Sequence, residues 1–197
     1  DTAIIVTADH GDAFGEHGIY SDHVCADECI HRIPMVVHWP GVTETGGRND
    51  AMLYNTDMGP TLCELLGAPP AEQWDGRSFA PALRGEPITR RDYLVWGHAL
   101  YAMQRAVRTR QHLLIRTYDA WQYRQFEPVQ LYNMDADPRQ TTNLADDRPD
   151  LVGELDRRLN DWLQEQLTKP GAIADPYGRL MEEQLRLGMS DRGRGDP

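Results

Sequence analysis

The sequence contains almost no lysine, few cysteines and no long apolar segment. Lys169 is the only lysine, and acidic residues outnumber basic ones, which gives a formal net charge of −11. Proteins that bind nucleic acid need clustered positive charge for their phosphate contacts, so this balance argues against a nucleic-acid partner. No apolar run is long enough to cross a bilayer, so no membrane span is expected.

The three cysteines form an odd and sparse set, Cys25, Cys29 and Cys63, which argues against a disulfide framework. An alternative is a zinc site in which Cys25 and Cys29 act together with His23 and His31. The spacing C-x3-C-x-H matches no common structural zinc pattern, so this alternative is not favoured.

The first forty residues concentrate the chemistry of the chain, because five of the seven histidines lie there. An apolar, β-branched run over residues 3–8 predicts a strand that is buried on both faces, as in a parallel sheet. Asp9 and His10 follow it directly. Ligands of open α/β sheets bind just beyond the carboxyl ends of strands, so these two side chains are candidate ligands for a divalent cation. The alternative is a polar turn in which Asp9 caps the backbone and His10 is hydrogen-bonded.

The remainder of the first half predicts alternating strands and helices. Residues 33–39 predict a second buried strand, in which His38 is expected to be a hydrogen-bonded core residue. Asp57 is predicted to cap a helix that extends through Leu66. A shorter helix is expected over residues 78–83.

The second half predicts a small antiparallel sheet followed by a long helix. Alternating apolar residues indicate four strands, with a hairpin turn at residues 109–111: Tyr93–Trp96, Ala106–Thr109, His112–Arg116 and Val129–Asn133. Leucines spaced by three and four residues predict an amphipathic helix from Pro149 to Leu167, with Trp162 in the core. A last helix over residues 177–187 and a disordered tail, SDRGRGDP, complete the prediction.

Three ordered motifs carry a family resemblance. The first comprises T-A-D-H-G-D at residues 7–12, G-E-H-G at 15–18, H-R-I-P-M-V-V at 31–37 and W-P-G at 39–41. The second is N-T-D-M-G-P-T-L at 55–62, and the third is L-Y-N-M-D-A-D-P-R-Q-T-T-N-L at 131–144. In this order and at these separations they closely resemble the second half of sulfatases.

The resemblance implies the C-terminal part of an alkaline-phosphatase-like α/β sandwich, with a small antiparallel sheet and a long C-terminal helix. It implies hydrolysis of sulfate esters with a divalent cation, Ca²⁺ before Mn²⁺ or Mg²⁺, held partly by Asp9 and His10. The family nucleophile is a formylglycine made from a C/S-x-P/A-x-R motif, which this sequence lacks. We therefore expect a C-terminal portion whose N-terminal half supplies the nucleophile and two more ligands, and which is inactive alone.

The resemblance also directs attention to His23. Many sulfatases place a lysine a few residues after the H-G pair, and no lysine is available here. His23 is the best-placed substitute, either to stabilise sulfate charge or to protonate the leaving oxygen, with Asp22 orienting it. His98 is a candidate for the edge of the substrate pocket. Glu16 and His17 are expected to brace the loop, and residues 135–144 to form a structural turn.

The expected organisation has three parts: residues 1–90 from the catalytic domain, with the metal-binding loop at 9–23, a sheet-and-helix subdomain at 91–170, and a tail at 171–197. The expected substrate is a small aryl or carbohydrate sulfate, and the expected partners are the N-terminal half and a second copy of the chain. A phosphonate monoester hydrolase or phosphodiesterase of the same superfamily, and a non-catalytic fragment, remain the alternatives. The sequence does not predict a cellular location.

Overall fold

A computed structural model of the chain describes residues 1–43, 46–100, 102–121 and 123–187, without the side chains of Ser21 and Gln184. The predicted tail SDRGRGDP lies outside the described residues. The strands are β1 (Ile4–Thr7), β2 (Ala13–Phe14), β3 (Tyr20–Asp22), β4 (Met35–His38), β5 (Tyr93–His98), β6 (Met103–Thr109), β7 (His112–Asp119) and β8 (Val129–Asn133). The helices are α1 (Glu28–His31), α2 (Met58–Leu65), α3 (Ala80–Leu83), α4 (Pro149–Leu167) and α5 (Pro176–Arg186).

The chain divides into two compact units. The first contains residues 1–9 and 34–94, and the second contains residues 10–33 and 95–197. The boundary at residues 94 and 95 falls within β5. The functional boundaries expected at residues 90 and 170 remain a prediction.

The first unit contains an antiparallel pair of strands, β1 and β4, in which Val6 lies opposite Val36. The predicted burial of both strands is wrong. Val6 and Val36 are 56% and 63% exposed, and His38, expected in the core, is exposed. Successive side chains of a strand point to opposite faces, and within the described part of this unit nothing covers the outer face of the pair.

Asp57 organises the rest of the first unit. It is the N-cap residue of α2, as predicted, but its side chain makes no capping hydrogen bond to that helix. The carboxylate is fully buried, where it accepts hydrogen bonds from the backbone N–H groups of Tyr54 and Arg77 at 2.8 and 2.7 Å. It also forms a two-pronged ion pair with Arg91 at 2.7 Å. A buried carboxylate is stable when its oxygens are satisfied in this way.

The second unit contains the predicted four-stranded sheet, in the order β5-β6-β7-β8. β6 and β7 form an antiparallel hairpin, and β8 continues the sheet antiparallel to β7. The helix α4 buries Leu151, Leu155 and Leu159, and Arg116 of β7 pairs with Asp156 of α4 at 3.0 Å. Trp162, expected in the core, is half-buried.

The α/β fold class, the small sheet and the C-terminal helix are confirmed. Among the described residues, no helix is long and apolar enough to cross a membrane.

Candidate active site

The β2–β3 hairpin of the second unit brings Asp12 and His23 together. Ala13 pairs with Asp22 in the antiparallel register, so the residue before Ala13 and the residue after Asp22 lie side by side. Nδ1 of His23 lies 3.4 Å from Oδ1 of Asp12. The motif alone does not single out Asp12, although a hairpin register drawn on residues 13–22 places it beside His23.

His10 completes a cluster with these two residues. Its ring stacks on that of His23, with 4.1 Å between ring centroids and 27° between planes. One possible ligand atom from each of His10, Asp12 and His23 lies within 4.8 Å of the others. Nδ1 of His10 lies 2.9 Å from the Gly11 carbonyl oxygen. Since a carbonyl only accepts, Nδ1 carries the proton and the lone pair of the neutral ring is on Nε2, as metal ligation requires.

Gly11 holds this loop against α1. Its N–H donates to the Ile30 carbonyl at 2.8 Å. A Cβ at residue 11 would lie 2.1 Å from the Cys29 carbonyl oxygen, so only glycine fits. In the H-G pair of the motif, His10 is therefore the candidate ligand, and Gly11, the next residue, fixes the backbone of the loop that carries it.

Asp22 and Asp12 both flank His23, and Asp12 is the nearer. The Asp22 carboxylate accepts the backbone N–H of His23 at 2.8 Å and lies 3.8 Å from Nδ1. Asp22 therefore fixes the backbone of His23, while Asp12 lies closer to its ring. His23 and Asp22 are both half-buried.

His31 and His98 extend the cluster inward. The His31 ring stacks on Trp96 at 5.2 Å and meets the His98 ring edge-on at 6.4 Å. Burial, with a smaller effect from His98, lowers the pKa of His31 to about 4. Burial also lowers the pKa of His98, and His23 contributes in the same direction. Both rings are therefore neutral at neutral pH, and four of the six histidines of this unit, His10, His23, His31 and His98, lie in or beside the cluster.

Asp9, the other predicted ligand, is exposed and immediately precedes His10 in the chain. It belongs to the first unit, whereas His10 belongs to the second. Its role with His10 remains a prediction from the motif.

His17 braces the loop, as predicted. Its Nδ1 lies 2.8 Å from Oδ2 of Asp27, and its Nε2 lies 2.6 Å from the Gln140 carbonyl oxygen. Both ring nitrogens face acceptors, and the hydrogen bond to Asp27, opposed by burial, raises the pKa of His17 to about 9. Glu16 accepts the Phe14 N–H at 2.6 Å. These residues position the hairpin that carries Asp12 and His23.

The cysteines do not join the cluster. Cys25 is buried and donates to Asp27 at 3.1 Å. Burial raises the pKa of both thiols, that of Cys29 to about 12. Within the described part of the chain, the only group of potential metal ligands is the histidine–aspartate cluster, which argues against the zinc alternative. Neither thiol is a nucleophile at neutral pH, because the reactive form is the thiolate.

Comparisons with known proteins agree with the motifs. Residues 15–169 match the family model described as N-sulphoglucosamine sulphohydrolase, C-terminal. The choline-sulfatase of Rhizobium meliloti is 30% identical over 200 residues, which cover 95% of this chain and 37% of that protein.

Two solved structures share the fold. A 2-O GAG sulfatase superposes with a TM-score of 0.72 at 25% identity, covering 89% of this chain and 39% of that one. The phosphonate monoester hydrolase of Agrobacterium radiobacter superposes with a TM-score of 0.69 at 22% identity, covering 84% and 35%. The chain thus spans less than two fifths of the length of each of these proteins.

Proposed function

Because this chain belongs to the sulfatase family, we propose that it acts as the C-terminal part of a sulfuric ester hydrolase. The family match over residues 15–169 carries the proposal, and the cluster of His10, Asp12 and His23 supplies two imidazoles and a carboxylate at one end of the β2–β3 hairpin. Asp9, His10, Asp12 and His23 are the chain's proposed contributions to the catalytic centre.

A divalent cation is the first group implied at this position, and the donors suit one. Asp9 and His10 are the proposed ligands, and Asp12 offers a third donor beside His10. Ca²⁺ is the family expectation. The carboxylates suit Ca²⁺, Mg²⁺ or Mn²⁺, and the imidazole favours Mn²⁺ among these three. When bound, such a cation supplies positive charge to stabilise negative charge that develops on the oxygens of the transferred group.

His23 is proposed to act on the leaving-group side. Nδ1 of His23 lies 3.4 Å from Asp12, and Asp22 holds the backbone of His23. When the ring is protonated, its Nδ1 side pairs with Asp12, which leaves proton donation toward the leaving oxygen to Nε2. His98 is proposed to line the substrate pocket.

The proposed substrate is a small sulfated carbohydrate, with an aryl sulfate as the alternative. The support is the name of the matched family and the sulfatases among the similar proteins. The proposed partners are an N-terminal half that carries a formylglycine, and a second copy of the chain.

A phosphonate monoester hydrolase is the second candidate function. The observation in its favour is the shared fold with the Agrobacterium radiobacter enzyme. The cluster of His10, Asp12 and His23 does not by itself distinguish a sulfuryl from a phosphonyl group.

Metal binding tests the proposed site without requiring turnover. We expect that Mn²⁺ added to the 197-residue chain broadens the imidazole NMR signals of His10 and His23 first, and that His10→Ala abolishes this effect. His38→Ala is the matched control, because His38 is an exposed histidine of the other unit. Equal broadening of all exposed histidines would contradict the site.

Turnover tests the reaction. The complete protein that contains this chain should hydrolyse 4-nitrophenyl sulfate or a glucosamine sulfate in preference to a phenyl phosphonate ester. We expect chelation to abolish the activity and His23→Asn to lower kcat by about a hundredfold, as for the loss of a general acid. A preference for the phosphonate ester would favour the second candidate, and full activity of His23→Asn would remove His23 from the mechanism.

A further inference from the structure

The segment after α4 folds back onto the sheet of its own unit through one side chain. Among the side chains of α5 that the structure describes, Tyr177 alone is buried, with 8% of its surface exposed. Leu180 and Met181 are half-buried, and the other described side chains of the helix are exposed. The contacts of Tyr177 are therefore the most buried ones that hold this helix on the sheet.

The Tyr177 hydroxyl bridges the two ends of the β5–β6 connection. It lies 3.1 Å from the carbonyl oxygen of His98, the last residue of β5, and 2.8 Å from that of Gln104 in β6. A hydroxyl has one proton to donate, and here it is placed between two acceptors. Removing it would release both ends of the connection at once.

Gly97 makes room for this hydroxyl. A Cβ at residue 97 would lie 2.2 Å from the Tyr177 oxygen. This distance is far shorter than any real contact, so a larger residue would displace the tyrosine. The strand β5 therefore carries a notch at the position next to His98.

An ion pair fixes the base of the tyrosine. Asp175 accepts the Tyr177 N–H at 3.1 Å and pairs with Arg105 of β6 through both guanidinium nitrogens, at 3.0 Å for the longer contact. The guanidinium carbon lies 3.9 Å from the centre of the Tyr177 ring. The side chain is thus held at its backbone, at its ring face and at its hydroxyl.

The connection that Tyr177 holds also carries the His98 ring. Nε2 of His98 donates to the Leu100 carbonyl oxygen at 3.0 Å, so the ring is bonded to the same connection. The His98 ring also lies edge-on to His31 in the histidine cluster.

We propose that Tyr177 is a positioning residue, whose hydroxyl holds the β5–β6 connection and thereby fixes the His98 ring in the candidate site. The segment from Asp175 to Arg186 then serves as a strap over this connection. The matched family region ends at residue 169, so the strap lies beyond it. The effect on catalysis rests on the proposed function. The effect on the position of His98 does not, because that position can be measured directly.

NMR of the histidine-labelled 197-residue chain tests the positioning. We expect that Tyr177→Phe shifts the His98 ring signals and raises amide exchange at residues 98–100 and 102 by about tenfold, the scale of one lost hydrogen bond. Gly97→Ala should produce the same change, because its Cβ would displace the Tyr177 hydroxyl. Unchanged His98 signals in both folded variants would overturn the proposal.

Tyr132→Phe is the matched control. Tyr132 is another buried tyrosine of the same unit, and its hydroxyl accepts a hydrogen bond from Gln130 at 2.7 Å. This variant loses a tyrosine hydroxyl in β8 and should leave the His98 signals in place. If Tyr132→Phe shifts His98 as much as Tyr177→Phe does, the effect is a general loosening and the proposal fails.

Kinetics of the complete protein separate this proposal from the proposed function. With a sulfate ester, Tyr177→Phe should raise KM by about tenfold and change kcat less, because His98 is placed on the binding side. A fall in kcat with unchanged KM would contradict the assigned role. A wild-type protein without sulfatase activity would refute the proposed function, while the NMR result would still decide the positioning.

Discussion

At the scale of single residues, Asp57 shows how the first unit stabilises a buried charge. It is fully buried, and its charge is balanced by Arg91, which is 11% exposed. The sequence suggested an ordinary helix cap at this position. A helix cap can be predicted from the local sequence at the start of the helix. Arg91 is 34 residues away in the chain, so a local pattern could not predict its ion pair with Asp57.

We predict that Asp57→Asn lowers the free energy of unfolding by about 3 kcal/mol, because it leaves Arg91 buried without a counter-ion. Urea unfolding of the 197-residue chain measures this. The double variant Asp57→Asn/Arg91→Met should recover part of the loss, because it removes both charges. Glu64→Gln is the control, since Glu64 pairs with Arg84 in an exposed position and should cost less than about 1 kcal/mol. Equal losses at both carboxylates would contradict the assigned role of burial.

At the scale of elements, apolar periodicity predicted the secondary structure. It did not predict burial correctly where burial depends on a neighbouring segment. The four strands of the sheet, its hairpin turn and α4 are confirmed, because periodicity reports local geometry. The same apolar pattern in β1 and β4 predicted burial that this chain does not provide, since periodicity does not show what covers a face. Of the histidine cluster, His10 and His23 were found from their motif, whereas Asp12 needed the hairpin register and His31 needed the fold.

A set of hydrogen bonds, the brace, joins three elements: the loop at residues 15–18, α1 and the turn at residues 135–144. His17 bonds Asp27 and the Gln140 backbone, while the Gln140 side chain donates to Asp27 at 2.9 Å and accepts from the Glu28 N–H at 2.9 Å. The third sequence motif therefore does more than turn the chain. It ties the start of α1 to the hairpin that carries the candidate site.

We predict that this brace gives the stability of the chain a dependence on alkaline pH. The pKa of His17 is about 9 in the folded protein and 6.5 in the unfolded chain. Its contribution is therefore complete below pH 6.5 and is lost as the pH rises through 9. The difference in unfolding free energy between wild type and His17→Gln should shrink across this interval in urea titrations. A difference that stays constant with pH would contradict a charged His17.

At the scale of the whole molecule, strong negative charge coexists with an exposed apolar strand pair. The net charge of −11 favours solubility, whereas two-stranded sheets with bare edges invite pairing with another chain. Ile4, Val6 and Val36 are each more than half exposed on β1 and β4. An exposed apolar face beside unpaired strand edges is typical of a surface that another polypeptide covers.

We therefore predict that the 197-residue chain associates with itself through the β1–β4 face. Val6 and Val36 lie opposite each other, so the double variant Val6→Thr/Val36→Thr removes apolar area from the face while threonine preserves the β-branched shape that strands favour. Sedimentation across a concentration series should show weaker association for this variant, with little change in melting temperature. Leu66→Thr is the control, because Leu66 is 70% exposed at the end of α2 and lies outside the strand pair. A wild-type chain that stays monodisperse at every concentration would show that the strand edges and the apolar face are too weak to overcome the repulsion of the net charge. A double variant that associates as strongly as the wild type would show that another surface drives association.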